Sequence, residues 1–163
     1  MTHSKTKKFD YNLIVIGAGS AGLVTSYIAA TLKARVALIE KHKMGGDCLN
    51  TGCVPSKALI RSAKILSYAQ RAKQFGFKSA TVDFDFADVM ERVQRVIQKI
   101  EPHDSVERYT NLGVECINGS ATIKTPYEVE VNGKTLSTRA IVVATGARPF
   151  VPPIPGLDKV SPL

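Results

Sequence analysis

No apolar run in the 163 residues approaches the roughly 18 needed for a membrane-spanning helix. The first eight residues, Met1 to Lys8, are polar and basic and lack the apolar core of a signal peptide, so a cytoplasmic setting is expected. Cysteine is scarce: Cys48, Cys53 and Cys116 are too few and odd in number for a secreted disulfide scaffold. In a reducing compartment such residues point to chemistry instead. Internal repeats and low-complexity tracts are missing, and no carboxylate occurs between Lys57 and Lys78.

What is present is the composition of one ordinary globular domain, 44% hydrophobic and 22% charged. The net charge of +8 raises the question of nucleic acid, so its distribution decides more than its size. Lys5, Lys7 and Lys8 sit together in the leader (residues 1–8), and without them the balance falls to +5. Lys57, Arg61, Lys64 and Arg71 follow helical spacing, opposite an apolar side of Ala58, Ile65, Ala69 and Ala72, which describes a solvated basic stripe. With no nucleic-acid-binding motif and no interleaved aromatics, a nucleic-acid partner is not expected.

Residues 12–16, Asn-Leu-Ile-Val-Ile, form an apolar run without alternation, the pattern of a strand buried on both faces. Glycines follow, then a helical pattern over 20–33 and a second buried strand, 35–40, ending on Glu40: a βαβ unit. Residues 41–52 have a loop composition, and Pro55 suits the first turn of a helix reaching to about Gly76. Asp85 is a plausible N-cap for a helix ended by Pro102. Beyond Gly113 come a short strand at 114–117, alternating runs around Ile123 and 128–131, and turns at Thr125-Pro126 and Asn132-Gly133, the last a strong hairpin signal. Residues 140–144 form a last buried strand, and Pro149, Pro152, Pro153 and Pro155 stiffen an exit linker over 149–163.

Gly17, Gly19 and Gly22 complete a G-x-G-x-x-G fingerprint between a buried strand and a helix, the setting in which it cradles a pyrophosphate. Backbone N–H groups and the positive end of the helix supply the anion site. Glu40, 18 residues past Gly22, suits the hydroxyls of an adenosine ribose. These residues specify a dinucleotide without specifying which.

Cys48 and Cys53 lie five residues apart. In an ideal helix their Cα atoms would be about 8.6 Å apart, beyond the roughly 7 Å that a disulfide tolerates. A bond between them therefore requires irregular backbone, which Asn50 and Gly52 accept. Two buried structural thiols, a zinc site, or a thiol nucleophile paired with His103 are other readings of the same residues, the zinc site lacking ligand-like spacing to His42 and Cys116. Cys53 precedes Pro55, so the positive end of the following helix faces it.

The run Gly45-Gly-Asp-Cys-Leu-Asn-Thr-Gly-Cys-Val-Pro-Ser-Lys57 resembles the redox-active disulfide motif of the pyridine nucleotide-disulfide oxidoreductases, flavoenzymes that include dihydrolipoamide dehydrogenase, glutathione reductase and mercuric reductase. The resemblance extends from Gly17 to the Pro-rich exit. It implies an α/β, Rossmann-like FAD-binding domain over 9–148, with a parallel sheet, helices and a small antiparallel β-meander. It implies electron flow from NAD(P)H through FAD and a Cys48–Cys53 disulfide to a disulfide or similar small-molecule acceptor. Cys48 matches the interchange thiol, Cys53 the flavin-side thiol, and Lys57 the lysine beside the flavin N5, where an ammonium favours an anionic flavin and a thiolate alike. Ser20, Ala21 and Glu40 match diphosphate and ribose contacts; Gly46, Asp47 and Cys48 line the flavin, and Lys41 and Gly45 are expected among the cofactor-binding residues; Ala121 matches an adenine contact and Thr145-Gly146 a turn across the cofactor. Asp47 departs from the commoner Thr, a change that either alters the local pKa of the thiols or leaves the carboxylate pointing at water. Pro55-Ser-Lys57 is closer to dihydrolipoamide dehydrogenase and mercuric reductase than to glutathione reductase.

The family pattern also includes parts not found in these 163 residues: a second glycine fingerprint for the nicotinamide nucleotide, a later segment completing the FAD domain, and an interface domain carrying a His-Glu pair. The expectation is therefore the N-terminal FAD-binding portion of a larger homodimeric enzyme, without turnover on its own. The alternative is a stand-alone nucleotide-binding module without redox chemistry.

Overall fold

The computed structural model describes residues 8–148 and 150–160. Most of the leader, Pro149 and residues 161–163 lie outside that range. Six strands form one sheet: β1 (Tyr11–Ile16), β2 (Val36–Glu40), β3 (Val114–Asn118), β4 (Ala121–Thr125), β5 (Glu128–Val131) and β6 (Lys134–Val143). Their order is β3-β2-β1-β6-β5-β4. The first four in that order run parallel, while β5 pairs antiparallel with both β6 and β4.

The unbroken apolar run of β1 has its reason in two cores. Val15 faces Leu23, Ala30, Leu38 and Tyr109, under the helices α1 (Ser20–Thr31) and α5 (Val106–Asn111). Ile14 faces Ala37, Ile39, Val129 and Val131, under the β-meander. Each residue is fully buried, and truncating either to alanine removes packing worth about 2–4 kcal/mol.

β6 does the work of two strands. Its residues Lys134 to Ser137 pair with β5 and Thr138 to Val143 with β1, so the meander and the strand read at 140–144 are one continuous element; that last stretch is not buried as expected, since Ala140 and Val143 are exposed and Ile141 and Val142 only half-buried. The hairpin at Asn132-Gly133 forms as its sequence demands: Val131 pairs with Lys134 and both turn residues have positive φ, 51° and 74°.

The helical hairpin differs more from expectation. The segment read as a loop contains a five-residue helix, α2 (Gly46–Asn50), and α3 (Cys53–Gln70) starts at Cys53, before Pro55. α3 stops at Gln70 rather than near Gly76, and a 3₁₀ turn over Ala72–Phe75 fills the gap. Ile65, assigned to the apolar side, is 54% exposed. α4 (Phe86–Ile100) is capped by Asp85, whose carboxylate accepts from the Ala87 N–H at 2.8 Å. A 3₁₀ turn containing Pro102 follows it. Arg92 on α4 donates to the Ala58 carbonyl at 2.9 Å and ties α4 to α3. Among the described residues no helix is long and apolar enough to cross a membrane.

Candidate functional site

The strand-to-helix turn after β1 is built by backbone contact. A Cβ on Gly22 would stand 1.8 Å from the Gly17 carbonyl oxygen, so only hydrogen fits where helix meets strand. Gly17 itself has φ +104° and backs onto Ala144, at the end of β6. Gly19 differs: a Cβ there would meet nothing nearer than 3.8 Å. The second glycine of the fingerprint leaves open space, and α1 begins immediately after it. No side chain caps that helix and its first turn carries no acid, so its free N–H groups and positive end stand ready for an anion.

Glu40, at the end of β2, is half-buried and both of its oxygens are engaged: Oε2 accepts from the Ala18 N–H at 2.7 Å and Oε1 from the His42 N–H at 2.8 Å. The carboxylate thus ties the glycine turn to the loop after β2, and each oxygen keeps a lone pair for a further donor.

A cleft of about 880 Å³ opens over this turn. Of the residues singled out from sequence, Gly17, Gly19, Glu40, Lys41, Gly46, Asp47, Ala121, Thr145 and Gly146 line it. Ser20 and Ala21 are exposed on the first turn of α1, and Gly22 and Gly45 are buried behind. Gly119, Ser120 and Arg148 also line the cleft, and sequence reasoning missed them. The first two sit in the β3–β4 turn, where the Gly119 N–H donates to the Glu40 carbonyl at 2.9 Å. Their only sequence signal was a glycine before Ala121.

Cys48, Cys53 and Lys57 do not line the cleft but extend from its Gly46-Asp47 end. Gly45 donates its N–H to the Ala18 carbonyl at 2.9 Å, and Gly46, with φ +54°, lies where a Cβ would come 2.7 Å from the Gly19 Cα. The cysteine segment is therefore locked against the phosphate turn. Cys48 lies in α2 and Cys53 is the first residue of α3, with the helix broken at Thr51-Gly52, as a close pair at this spacing requires. Both are free thiols here. Cys53 and Ser20 are the side chains that act most strongly on the Cys48 thiol. Its pKa is raised, first by the neighbouring Cys53 thiol, then by burial, by the charge of Cys53 and last by the Asp104 carboxylate, with the Ser20 hydroxyl opposing them. Asp47 is exposed and lines the cleft; the carboxylate felt at the Cys48 sulfur is Asp104. Lys57 lies one turn past Cys53 on α3 and is exposed. His103 is exposed, with Nδ1 3.0 Å from Arg108 Nη1. Among the described residues no cluster of His, Cys, Asp and Glu is arranged to hold a metal.

An uncapped helix N-terminus, an unfilled space at Gly19, a carboxylate at the end of β2 and a cleft of cofactor size fit an extended dinucleotide. The fold and site define a nucleotide-binding α/β domain with a cysteine pair beside its phosphate turn. The chain belongs to the pyridine nucleotide-disulphide oxidoreductase family, whose model matches residues 11–162. It is 38% identical over 151 residues to a dihydrolipoyl dehydrogenase of Acholeplasma laidlawii, covering 92% of this chain and 45% of that one. It is 32% identical to a mercuric reductase of Staphylococcus aureus (93% and 28% covered) and 37% identical to a glutathione reductase of Burkholderia cepacia (93% and 34%). The chain thus spans less than half the length of these relatives. Among solved structures it is similar to the Cu(II) complex of the HOCl-induced flavoprotein disulfide reductase RclA from Escherichia coli, with a TM-score of 0.70, 27% identity, and 90% of this chain and 30% of that one covered. Family and flavoprotein neighbour together imply FAD as the nucleotide, with NAD(P)H as reductant in the parent protein.

Proposed function

We propose that the chain is the FAD-binding, redox-disulfide portion of an oxidoreductase that passes electrons from NAD(P)H through FAD and the Cys48–Cys53 pair to a disulfide or similar small-molecule acceptor. The observation that carries this reading is the contact of the cysteine segment with the phosphate turn, through Gly45, Gly46 and Ser20. When bound, FAD supplies the two-electron relay between the nicotinamide and the disulfide. The chain's own residues do the rest. The α1 N-terminus and the Gly17 to Gly22 turn hold the diphosphate, and Glu40 accepts from the ribose. Cys53 and Lys57 share one face of the first turns of α3, where the ammonium favours negative charge on its neighbours. The raised pKa of Cys48 keeps its proton in place until a base removes it. That base, on the family pattern, is a histidine outside these residues, so the chain alone does not turn over NAD(P)H.

The same reading sets the parent protein in the cytoplasm as a homodimer, where a reducing environment suits a redox-active pair. The test is reconstitution: the purified chain incubated with FAD and desalted is expected to retain a flavin absorbance spectrum. Desalted protein free of flavin across a range of FAD concentrations contradicts the reading for this chain.

A further inference from the structure

The distance between the two thiols depends on how two helices are set against each other. The chain turns between them at Thr51-Gly52, where both N–H groups donate to the Asp47 carbonyl, at 3.0 and 2.6 Å. On one side of the turn, α2 is held against the phosphate turn through Gly45 and Gly46. On the other, α3 is 18 residues long and buries a single side chain, Ala58. A helix with so little buried surface takes its setting from whatever grips it. The grip falls at Ala58 itself: Arg92 of α4 donates from Nη1 to the Ala58 carbonyl at 2.9 Å and to the Ser62 hydroxyl at 3.4 Å. Among the described residues these are the only hydrogen bonds between α3 and α4. Arg92 is half-buried and, among the described residues, pairs with no carboxylate, whereas Arg95 on the same helix is exposed and pairs with Glu91 at 3.2 Å. A guanidinium drawn out of water without a carboxylate is used for the shape of its donors rather than for an ion pair.

Resting on the disulfide-oxidoreductase reading above, we propose that Arg92 is a positioning residue for the cysteine pair: from α4 it fixes the tilt and the rotation of α3, and so the place of Cys53 relative to Cys48 and of Lys57 beside them. Cys53 stands five residues before Ala58, about 7.5 Å along the helix axis, and Lys57 immediately precedes it. Turning α3 about its own axis carries the Cys53 sulfur toward or away from Cys48. A donor fixed on one carbonyl of that helix opposes the rotation, and a second bond to Ser62, one turn further on, opposes the tilt. Arg92 acts through the Ala58 carbonyl and not on the thiols directly. Nothing in the cysteine segment marks it, since it lies 39 residues beyond Cys53 in the chain.

The test equilibrates the chain with a glutathione redox buffer. Cys48 and Cys53 give two electrons and two protons to oxidised glutathione, forming the Cys48–Cys53 bond and two molecules of reduced glutathione. The oxidised fraction is read by acid quench, alkylation and mass spectrometry, a readout that needs no flavin. Arg92→Met keeps the length and loses both donors, and is expected to lower the equilibrium constant for oxidation by about tenfold, as a pre-set pair becomes a loose one. Arg92→Lys, which keeps a donor, should recover it to within about threefold of the unsubstituted chain. Arg95→Met should leave it within about twofold. If Arg92→Met does not fold, Arg92→Gln, too short to reach the carbonyl, carries the same expectation. Urea midpoints of the reduced chains separate positioning from stability, because a residue that only holds the fold moves the midpoint and leaves the constant of the folded chain unchanged. A constant unmoved by the loss of both donors, whatever the midpoint, overturns the proposal. If the unsubstituted pair forms no disulfide in this buffer, the redox reading itself fails and the role of Arg92 falls with it, a result distinct from a normal pair that Arg92 does not influence.

Discussion

α1 and α3 both open at the cysteine pair and then follow different rules. α1 packs over the sheet, buries Gly22, Leu23, Ser26 and Ala30, and has no charged side chain. α3 packs against α4, buries Ala58, and presents Lys57, Arg61 and Lys64 to solvent. The first helix contributes through its backbone: hydrogen at Gly22, open space at Gly19, free N–H groups at its start. The second contributes through side chains on its opening turns, Cys53 and Lys57. A phosphate turn is built by excluding atoms, whereas a redox pair is built by placing them, so equal-sized substitutions should have very unequal effects on the two helices.

The largest effect is expected at Gly22. Gly22→Ala drives a methyl into the Gly17 carbonyl, and the loss of stability should reach about 3 kcal/mol in urea unfolding; a loss of only a few tenths would mean that α1 is not pinned by backbone contact. Next comes Gly19→Ala, which has room for its methyl. Stability should stay within about 0.5 kcal/mol, while FAD affinity, read by quenching of flavin fluorescence, falls by about tenfold as the methyl occupies the diphosphate's place. Equal losses in both measurements would erase the distinction between scaffold glycine and ligand glycine.

The sheet beneath α1 offers a smaller effect. Burial, reinforced by a hydrogen bond to Glu115 at 2.7 Å, pushes the Tyr11 pKa up to about 12. The fold keeps this phenol neutral, so its contribution is present below pH 10 and is lost as pH rises from 10 through about 12. Tyr11→Phe should flatten that part of the stability profile, and an unchanged slope would remove Tyr11 from the account. The smallest effect is expected on α3: Lys64→Gln forfeits an exposed contact 5.7 Å from the Tyr68 ring and should cost under about 0.5 kcal/mol.

The same contrast explains what the sequence made legible. The turn from β1 into α1 and on to Glu40 could be read because glycine spacing and an unalternated apolar run are local signals of local constraints. Asn132-Gly133 and the Asp85 cap belong to the same class. α2 could not be read: Gly45, Gly46 and Asn50 look like loop residues, and five residues are too few for a helical period. It is held by one bond to a distant segment, from the Gly45 N–H to the Ala18 carbonyl, and by a side-chain clasp, the Asn50 amide donating to the Met44 and Gly46 carbonyls at 3.0 and 2.8 Å. α5, six residues long, escaped for the same reason. The continuity of β6 escaped because one strand changes partners partway along, which no single period encodes. Arg148 escaped because nothing in its own neighbourhood of sequence marks a residue that lines a cleft formed by distant loops. The site's chemistry was legible in the cysteine motif, and its surroundings required the fold.

The central claim is that the phosphate turn and the cysteine pair form one flavin redox unit. Two-electron reduction of the FAD-loaded chain, followed by absorbance at long wavelength, tests it most directly. The account predicts a charge-transfer band that survives Cys48→Ser and disappears in Cys53→Ser. A band absent from the unsubstituted protein, or one that persists without Cys53, would contradict it.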